Sequence, residues 1–119
     1  MGNREEKLEA LLERVGLGVN EIDARTCSYV RVSPTFCALL GYAPEELIGR
    51  SPASITHPDD AAQDAAPLSQ LLNGTLLTWT TEKRYVRKDG GVVWTRIHLS
   101  AGSRESAAPT LLAVVEDIT

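Results

Sequence analysis

The chain has 119 residues, 43% of them hydrophobic and 24% charged, which suits one folded domain with a single modest core. A net charge of −4 at pH 7 argues against nucleic acid or an anionic membrane as the main partner. The longest apolar run, Leu111 to Val115, is far shorter than the roughly 20 residues of a membrane span, and the charged N-terminus has no apolar signal segment, so a cytoplasmic chain with no direct membrane contact is expected.

Residues 4–15 read "REEKLEALLERV". Leu8, Leu11, Leu12 and Val15 recur at helical spacing, so an amphipathic helix is predicted, with charge on its other face. Residues 1–14 are read as a flanking helix and residues 15–119 as the domain. Two readings fit the apolar stripe: the helix packs on its own domain, or it pairs with a second copy.

"LGVNEIDA" and "CSYVRVS" are two short strands joined by the turn "DART". In "SPTFCALLGY", Ser33 is a good N-cap, Pro34 suits the first helical position, and Gly41 ends the helix. "PEELIG" repeats this pattern, with Glu45 and Glu46 at the positive helix end and Gly49 as the stop. Cys27 and Cys37 form no CxxC pair and sit among apolar residues, so they are read as buried small hydrophobes.

"SITHPDD" looks like chemistry but is explained by helix initiation. Pro58 keeps His57 out of the helix and takes the first helical position itself. Asp59 and Asp60 then fall in the first turn, among free N–H groups. A metal site would need further ligands, and the only other histidine, His98, lies in a distant predicted strand, so no metal is expected. The helix that follows contains Pro67, which predicts a break near Ala66 and then a turn carrying Leu68, Leu71 and Leu72.

Strand-forming residues flank Asp89-Gly90-Gly91, a strong hairpin signal, and "TLLAVVEDIT" supplies a third strand of this half. Ser100 to Pro109 is small and polar and reads as a loop. Because strand residues alternate faces, Thr95, Ile97, Leu99 and Ala101 share one side, and Trp94, Arg96 and His98 the other. Trp79, Thr81, Lys83 and Tyr85 share a face of the preceding strand. No nucleophile–base–orienter set and no phosphate loop is visible, so no catalytic residue is assigned and the domain is read as non-catalytic.

Three phrases in this order, "SPTFCALLGYAPEELIGRSPASITHPDD", "EKRYVRKDGGVVWTRIHLSA" and the closing "VVEDIT", resemble the PAS sensory domain over about Val15 to Thr119. The resemblance implies an α+β fold: a five-stranded antiparallel sheet of order 2-1-5-4-3, short helices on one face and the N-terminal amphipathic helix beside it. It makes the Thr95, Ile97, Leu99 side the inward one. Departures are Ser33 where the family usually has Asn, Ala43 where Ser or Thr usually caps, and Pro67 within a helix that is often continuous.

The resemblance implies a sensory and dimerisation module, expected to be a fragment of a larger signalling protein such as a histidine kinase or diguanylate cyclase. "GRSPASI" has no cysteine where light-sensing relatives form a flavin adduct, and residues 58–73 have no histidine where haem-binding relatives place an axial ligand. No haem and no covalent flavin is therefore expected. Candidates for a pocket around an unidentified small ligand are Trp79, Thr81, Lys83, Tyr85, Thr95, Ile97 and Leu99, with Lys83 or Thr81 as an anchor for an anion. Candidates for a homodimer interface are Leu8, Leu11, Leu12, Val15, Trp94, Arg96 and His98. Asp117, which can accept hydrogen bonds or pair with a cation such as Arg96, and Thr119, as a cap for whatever follows, are candidates for the signal exit to an output domain of the same chain. The alternative is a constitutive interaction adaptor with a filled core and no ligand; a cavity above about 300 Å³ separates the two.

Overall fold

The computed structural model describes residues 4–101 and 109–119. Helix α1 (Arg4–Arg14) leads into strands β1 (Gly18–Asp23) and β2 (Ser28–Val32). Helices α2 (Pro34–Leu40) and α3 (Pro44–Leu47), a 3₁₀ turn at Pro52–Ile55, α4 (Pro58–Ala61), a second 3₁₀ turn at Ala62–Asp64 and α5 (Ala65–Asn73) follow. Strands β3 (Thr78–Val86), β4 (Val92–Ala101) and β5 (Thr110–Asp117) close the chain. The five strands form one antiparallel sheet in the order β2-β1-β5-β4-β3, the order that the resemblance implies.

The hairpins form where turn chemistry allows them. Asp23 accepts the N–H groups of Arg25 and Thr26 at 2.8 and 3.3 Å, which turns the chain between β1 and β2. Gly90 adopts φ +91° in the β3–β4 turn, where Asp89 accepts the Gly91 N–H at 2.8 Å. Val30 is the extra residue of a bulge on β2, since Glu21 pairs with Arg31 and Ile22 with Tyr29. At the other side of β1, Gly18 lies opposite Val115 of β5.

The helix caps follow the local grammar, with two adjustments. The Ser33 hydroxyl accepts the Phe36 N–H at 3.4 Å and also the Val19 N–H of β1 at 2.9 Å, so the serine braces α2 against the sheet. Gly18 permits that closeness: a Cβ there would sit 2.9 Å from the Phe36 Cβ. Ala43 has no capping side chain, and Glu46 compensates by accepting the Ala43 N–H at 2.8 Å while pairing with Lys88 Nζ at 2.6 Å. The lysine bond is the main reason that the Glu46 carboxyl is held below its ordinary value.

Two expectations about elements need correcting. The break caused by Pro67 lies at Ala62–Asp64, not near Ala66. Proline has no N–H for the carbonyl four residues back and its ring crowds that carbonyl, so the disruption falls upstream while Pro67 itself sits in the tolerant first turn of α5. Ser100 and Ala101 belong to β4, and Pro109 precedes β5; the predicted loop between them otherwise lies outside the described residues.

The core lies between the sheet and the helical connection. Tyr29, Phe36 and Tyr85 form its aromatic centre, with ring centroids 5.8 Å apart for Tyr29–Phe36 and 5.6 Å for the edge-on Phe36–Tyr85 pair. Leu40, Leu47, Ile55 and Leu71 press down from the helical side, and Ile97, Leu111 and Val115 rise from the sheet. Cys37 is buried within this cluster, and burial, then the charges of Glu13 and Glu45, pushes its thiol pKa up. Cys27 is only half-buried, at the edge of the core, and takes a left-handed backbone conformation at φ 54°.

Candidate functional site

The sheet has two unlike faces. On the inner face, Lys83 and Tyr85 of β3 and Ile97 and Leu99 of β4 line one internal void together with Tyr29 and Leu68. Its volume is about 20 Å³, room for a single water. Four of the seven pocket candidates thus converge, and three do not line the void. Thr95 is fully buried and its hydroxyl donates to the Lys83 carbonyl at 2.9 Å. Thr81 is half-buried and accepts from Gln63 Nε2 at 3.4 Å. Trp79 packs half-buried against the rim of the core. Among the described residues, this inner void falls far short of the roughly 300 Å³ of a small-molecule pocket.

Lys83 is only 3% exposed, and its ammonium lies 5.3 Å from the Tyr85 ring centroid, within cation–π range. Asn20, on β1, was not singled out from the sequence. It is 1% exposed, shares the inward side with Ile22, and neither atom of its side-chain amide has a hydrogen-bond partner among the described residues. An Asn alternating with Gly18 and Ile22 on one strand face was the available signal.

On the outer face, Trp94 is 44% exposed. The Arg84 guanidinium lies over its ring at 5.0 Å from the centroid. Arg96 bridges Glu82 and Glu116, each at 2.9 Å, and those bonds, Glu82 first, raise the arginine pKa. His98 Nδ1 lies 3.0 Å from the Thr80 hydroxyl, and its Nε2 lies 3.7 Å from Glu116. Trp94, Arg96 and His98 therefore do share the solvent side of β4, as alternation predicts.

The "HPDD" segment starts a helix and does more. His57 Nδ1 accepts the Asp59 N–H at 3.1 Å, so the histidine is the cap. Asp59 stays exposed, but Asp60 is nearly buried and grips Arg84 at the edge of the sheet. Its carboxylate accepts Arg84 Nη2 at 2.8 Å, Nε at 3.0 Å and the backbone N–H at 2.8 Å. Helix initiation therefore explains Asp59 and only part of Asp60. The Arg84 hydrogen bonds are the largest reason that the Asp60 carboxyl falls from 3.8 to about 2.

At the end of β5 the expected pairing is corrected. Arg96 lies opposite Glu116 and pairs with it, while Asp117, one residue further, turns to the other side. Asp117 instead accepts the Thr119 N–H at 2.9 Å, and hydrogen bonds from Thr119 are the main cause of its lowered pKa. The Thr119 hydroxyl lies 3.3 Å from the Trp94 nitrogen and 3.4 Å from the Trp94 carbonyl oxygen, so it fastens the strand end to β4.

On α1, Leu8, Leu11 and Val15 are exposed, and Leu12 is half-buried. The helix is held by Glu13, whose carboxylate accepts the Thr35 N–H at 3.2 Å and its hydroxyl at the start of α2. Among the described residues, no group of three or more His, Cys, Asp or Glu is arranged to hold a metal, and no helix is long and apolar enough to cross a membrane.

A five-stranded antiparallel sheet of this order, backed by short helices, defines one class of α+β fold. The chain belongs to the PAS fold family, whose model matches residues 29–115. It is 32% identical over 91 residues, 76% of this chain, to the probable diguanylate cyclase DgcE of Escherichia coli strain K12. It is 25% identical over 97% of its length to the sensor histidine kinase TmoS of Ectopseudomonas mendocina. The chain spans only 8% and 12% of these relatives, which are much longer proteins. The crystal structure of the PAS domain of an HTR-like protein from Haloarcula marismortui superposes with a TM-score of 0.74 at 29% identity, covering 96% of both chains.

Proposed function

We propose that this PAS domain is a relay and self-association module of a longer signalling protein, of the kind represented by the related cyclase and sensor kinase, and that its outer sheet face binds a second copy of the chain. The observation that carries this reading is the contrast between the two faces. The inner void has room for one water, whereas the outer face presents Trp94 among charges that neutralise one another. Arg96 is matched by Glu82 and Glu116, so two such faces meet without a large net repulsion. The exposed Leu8, Leu11 and Val15 of α1 add apolar surface of the composition that dimers cover.

Sedimentation velocity over a concentration series tests it. The expected result is a monomer–dimer equilibrium weakened at least tenfold by Trp94→Ala and by deletion of residues 1–14. A monomer at all concentrations overturns the reading.

A second reading, a ligand-holding core, is favoured by the orphaned amide of Asn20 and by the burial of Lys83 in the wall of the void. It requires Leu68 and α5 to move outward, since the void is otherwise too small. Native mass spectrometry of freshly purified protein distinguishes the two. A bound small molecule lost on Lys83→Leu supports the ligand reading, and bare protein supports the relay reading.

A further inference from the structure

We propose that Arg84 is a clamp between the two sides of the sheet, so that covering Trp94 on the outer face holds the helical segment 58–73 closed, and release of that segment weakens whatever covers Trp94. The self-association reading above supplies the identity of the cover, a second copy. The clamp itself stands on separate geometry.

Strand β3 is an edge of the sheet, and Arg84 lies on it. Its side chain is shared between two sites, one on each side of the sheet edge. On the helical side the guanidinium gives two parallel bonds to Asp60, at 2.8 and 3.0 Å. On the outer side the same planar group lies 5.0 Å from the centre of the Trp94 ring. The arginine backbone is used as well: its N–H donates to Asp60 at 2.8 Å, and its carbonyl accepts the His57 N–H at 2.9 Å. Downstream, Gln63 Nε2 reaches the Glu82 carbonyl at 3.5 Å. The segment 56–63 is thus fastened to β3 by polar contacts centred on one arginine. Beyond it, α5 carries Leu71 into the core and Leu68 onto the internal void.

The direction of the coupling follows from solvation. In the closed arrangement the Asp60 carboxylate takes two of the five guanidinium N–H groups, so the cation is paired and needs less water. Once the segment lifts away, Arg84 loses that partner and must be hydrated instead. A free surface allows this, because the Arg84 side chain is already 25% exposed. A surface covered at Trp94 leaves hydration from the vacated side only, and a cation left unpaired beside a dry interface is disfavoured. Cover therefore penalises the open state more than the closed one. Linkage then requires the reverse effect by the same factor: loosening Asp60 weakens the cover. Lysine cannot replace the arginine, since a point charge offers neither the paired bonds nor the flat surface over the indole.

Hydrogen–deuterium exchange of this 119-residue chain tests the proposal in two arms. In dilute, monomeric protein, Trp94→Leu removes the ring that orients the guanidinium. Amides of residues 61–73 are expected to exchange several-fold faster, while those of β5 keep their rates. In an Arg84→Lys background the same Trp94→Leu change is expected to add nothing. In the second arm, raising the concentration into the dimer slows exchange of residues 61–73 about fivefold or more in the wild type and leaves Arg84→Lys unaffected. Asp60→Asn weakens dimerisation by the same factor. A dimer whose segment exchanges at the monomer rate overturns the clamp and leaves self-association standing. A strict monomer overturns self-association, and the first arm alone then decides the clamp. Unchanged exchange of 61–73 in monomeric Trp94→Leu, or an equal acceleration in β5, sinks it.

Discussion

The two faces of the sheet are built from the same strands by opposite rules. Inward residues of β4 and β5 meet aromatic and aliphatic partners and leave almost no void, while outward residues of the same strands meet charges and solvent. An inner side chain is held by many weak contacts that fail together, because a close-packed core repacks poorly around a hole. An outer side chain is held by a few strong, water-competing contacts, each replaceable with little harm to the fold. Stability therefore concentrates on the inner face. The outer face is free to be tuned for association.

The comparison is most easily broken by Phe36, which joins Tyr29 to Tyr85 and is fully buried. Phe36→Ala is expected to cost about 3–5 kcal/mol, read from urea unfolding; a cost near that of an exposed residue would show that the core tolerates a cavity there. Next comes the seam between the faces. Asp60→Ala removes a carboxylate from two guanidinium bonds and one backbone N–H, and is expected to cost about 2–3 kcal/mol. Exposed Asp59 is the control, with a change within about 0.5 kcal/mol.

The same carboxylate gives a pH signature. Its folded pKa of about 2 lies below the ordinary 3.8, so the pair contributes fully above pH 3.8 and is lost as pH falls through about 2. The wild-type urea midpoint should therefore fall more steeply from pH 4 to 2 than that of Asp60→Asn. Parallel curves would mean that the pair adds no stability. On the outer face, Trp94→Ala is expected to cost only about 1 kcal/mol of monomer stability, the order of one cation–π contact. A cost equal to that of Phe36→Ala would erase the distinction between the faces. The smallest effect sharpens it from within. Asn20→Val removes two orphaned polar atoms from the core and is expected to stabilise by up to about 1 kcal/mol; a destabilised variant would mean that the amide has a role the folded core alone does not reveal.

What the sequence made legible is what depends on neighbours along the chain. The caps at Ser33 and Gly41, the helix start at Pro58, the Asp89-Gly90 turn and the face alternation of β4 all follow from a few adjacent residues, and all are present. The fold as a whole became readable through the order of the PAS-like phrases rather than through any single element. The site was read less completely, because its contacts join distant residues. Asp60 and Arg84 are 24 positions apart, and the good local explanation of Asp60 as a helix-start charge hid the pair. The sequence offers Arg96 as one partner for Asp117, but register gives it Glu116; one residue of shift reverses which face a side chain takes. The size of the internal void depends on how Leu68 and Tyr29 meet from opposite sides, and no alternation pattern contains that.

The pairing of Gly18 with Val115 has a mechanical consequence. Strand β1 begins where β5 is about to end, and the two run antiparallel, so the flanking segments at both ends of the domain leave from one edge of one strand pair. Tension applied between Gly18 and Asp117 does not shear that pair along its length. It opens the ladder from the Gly18 end, one hydrogen-bonded step after another, as a zipper opens. Such a joint yields at low force and does so progressively, and a small change in separation at one end of the strand pair is carried directly to the chain entering and the chain leaving it.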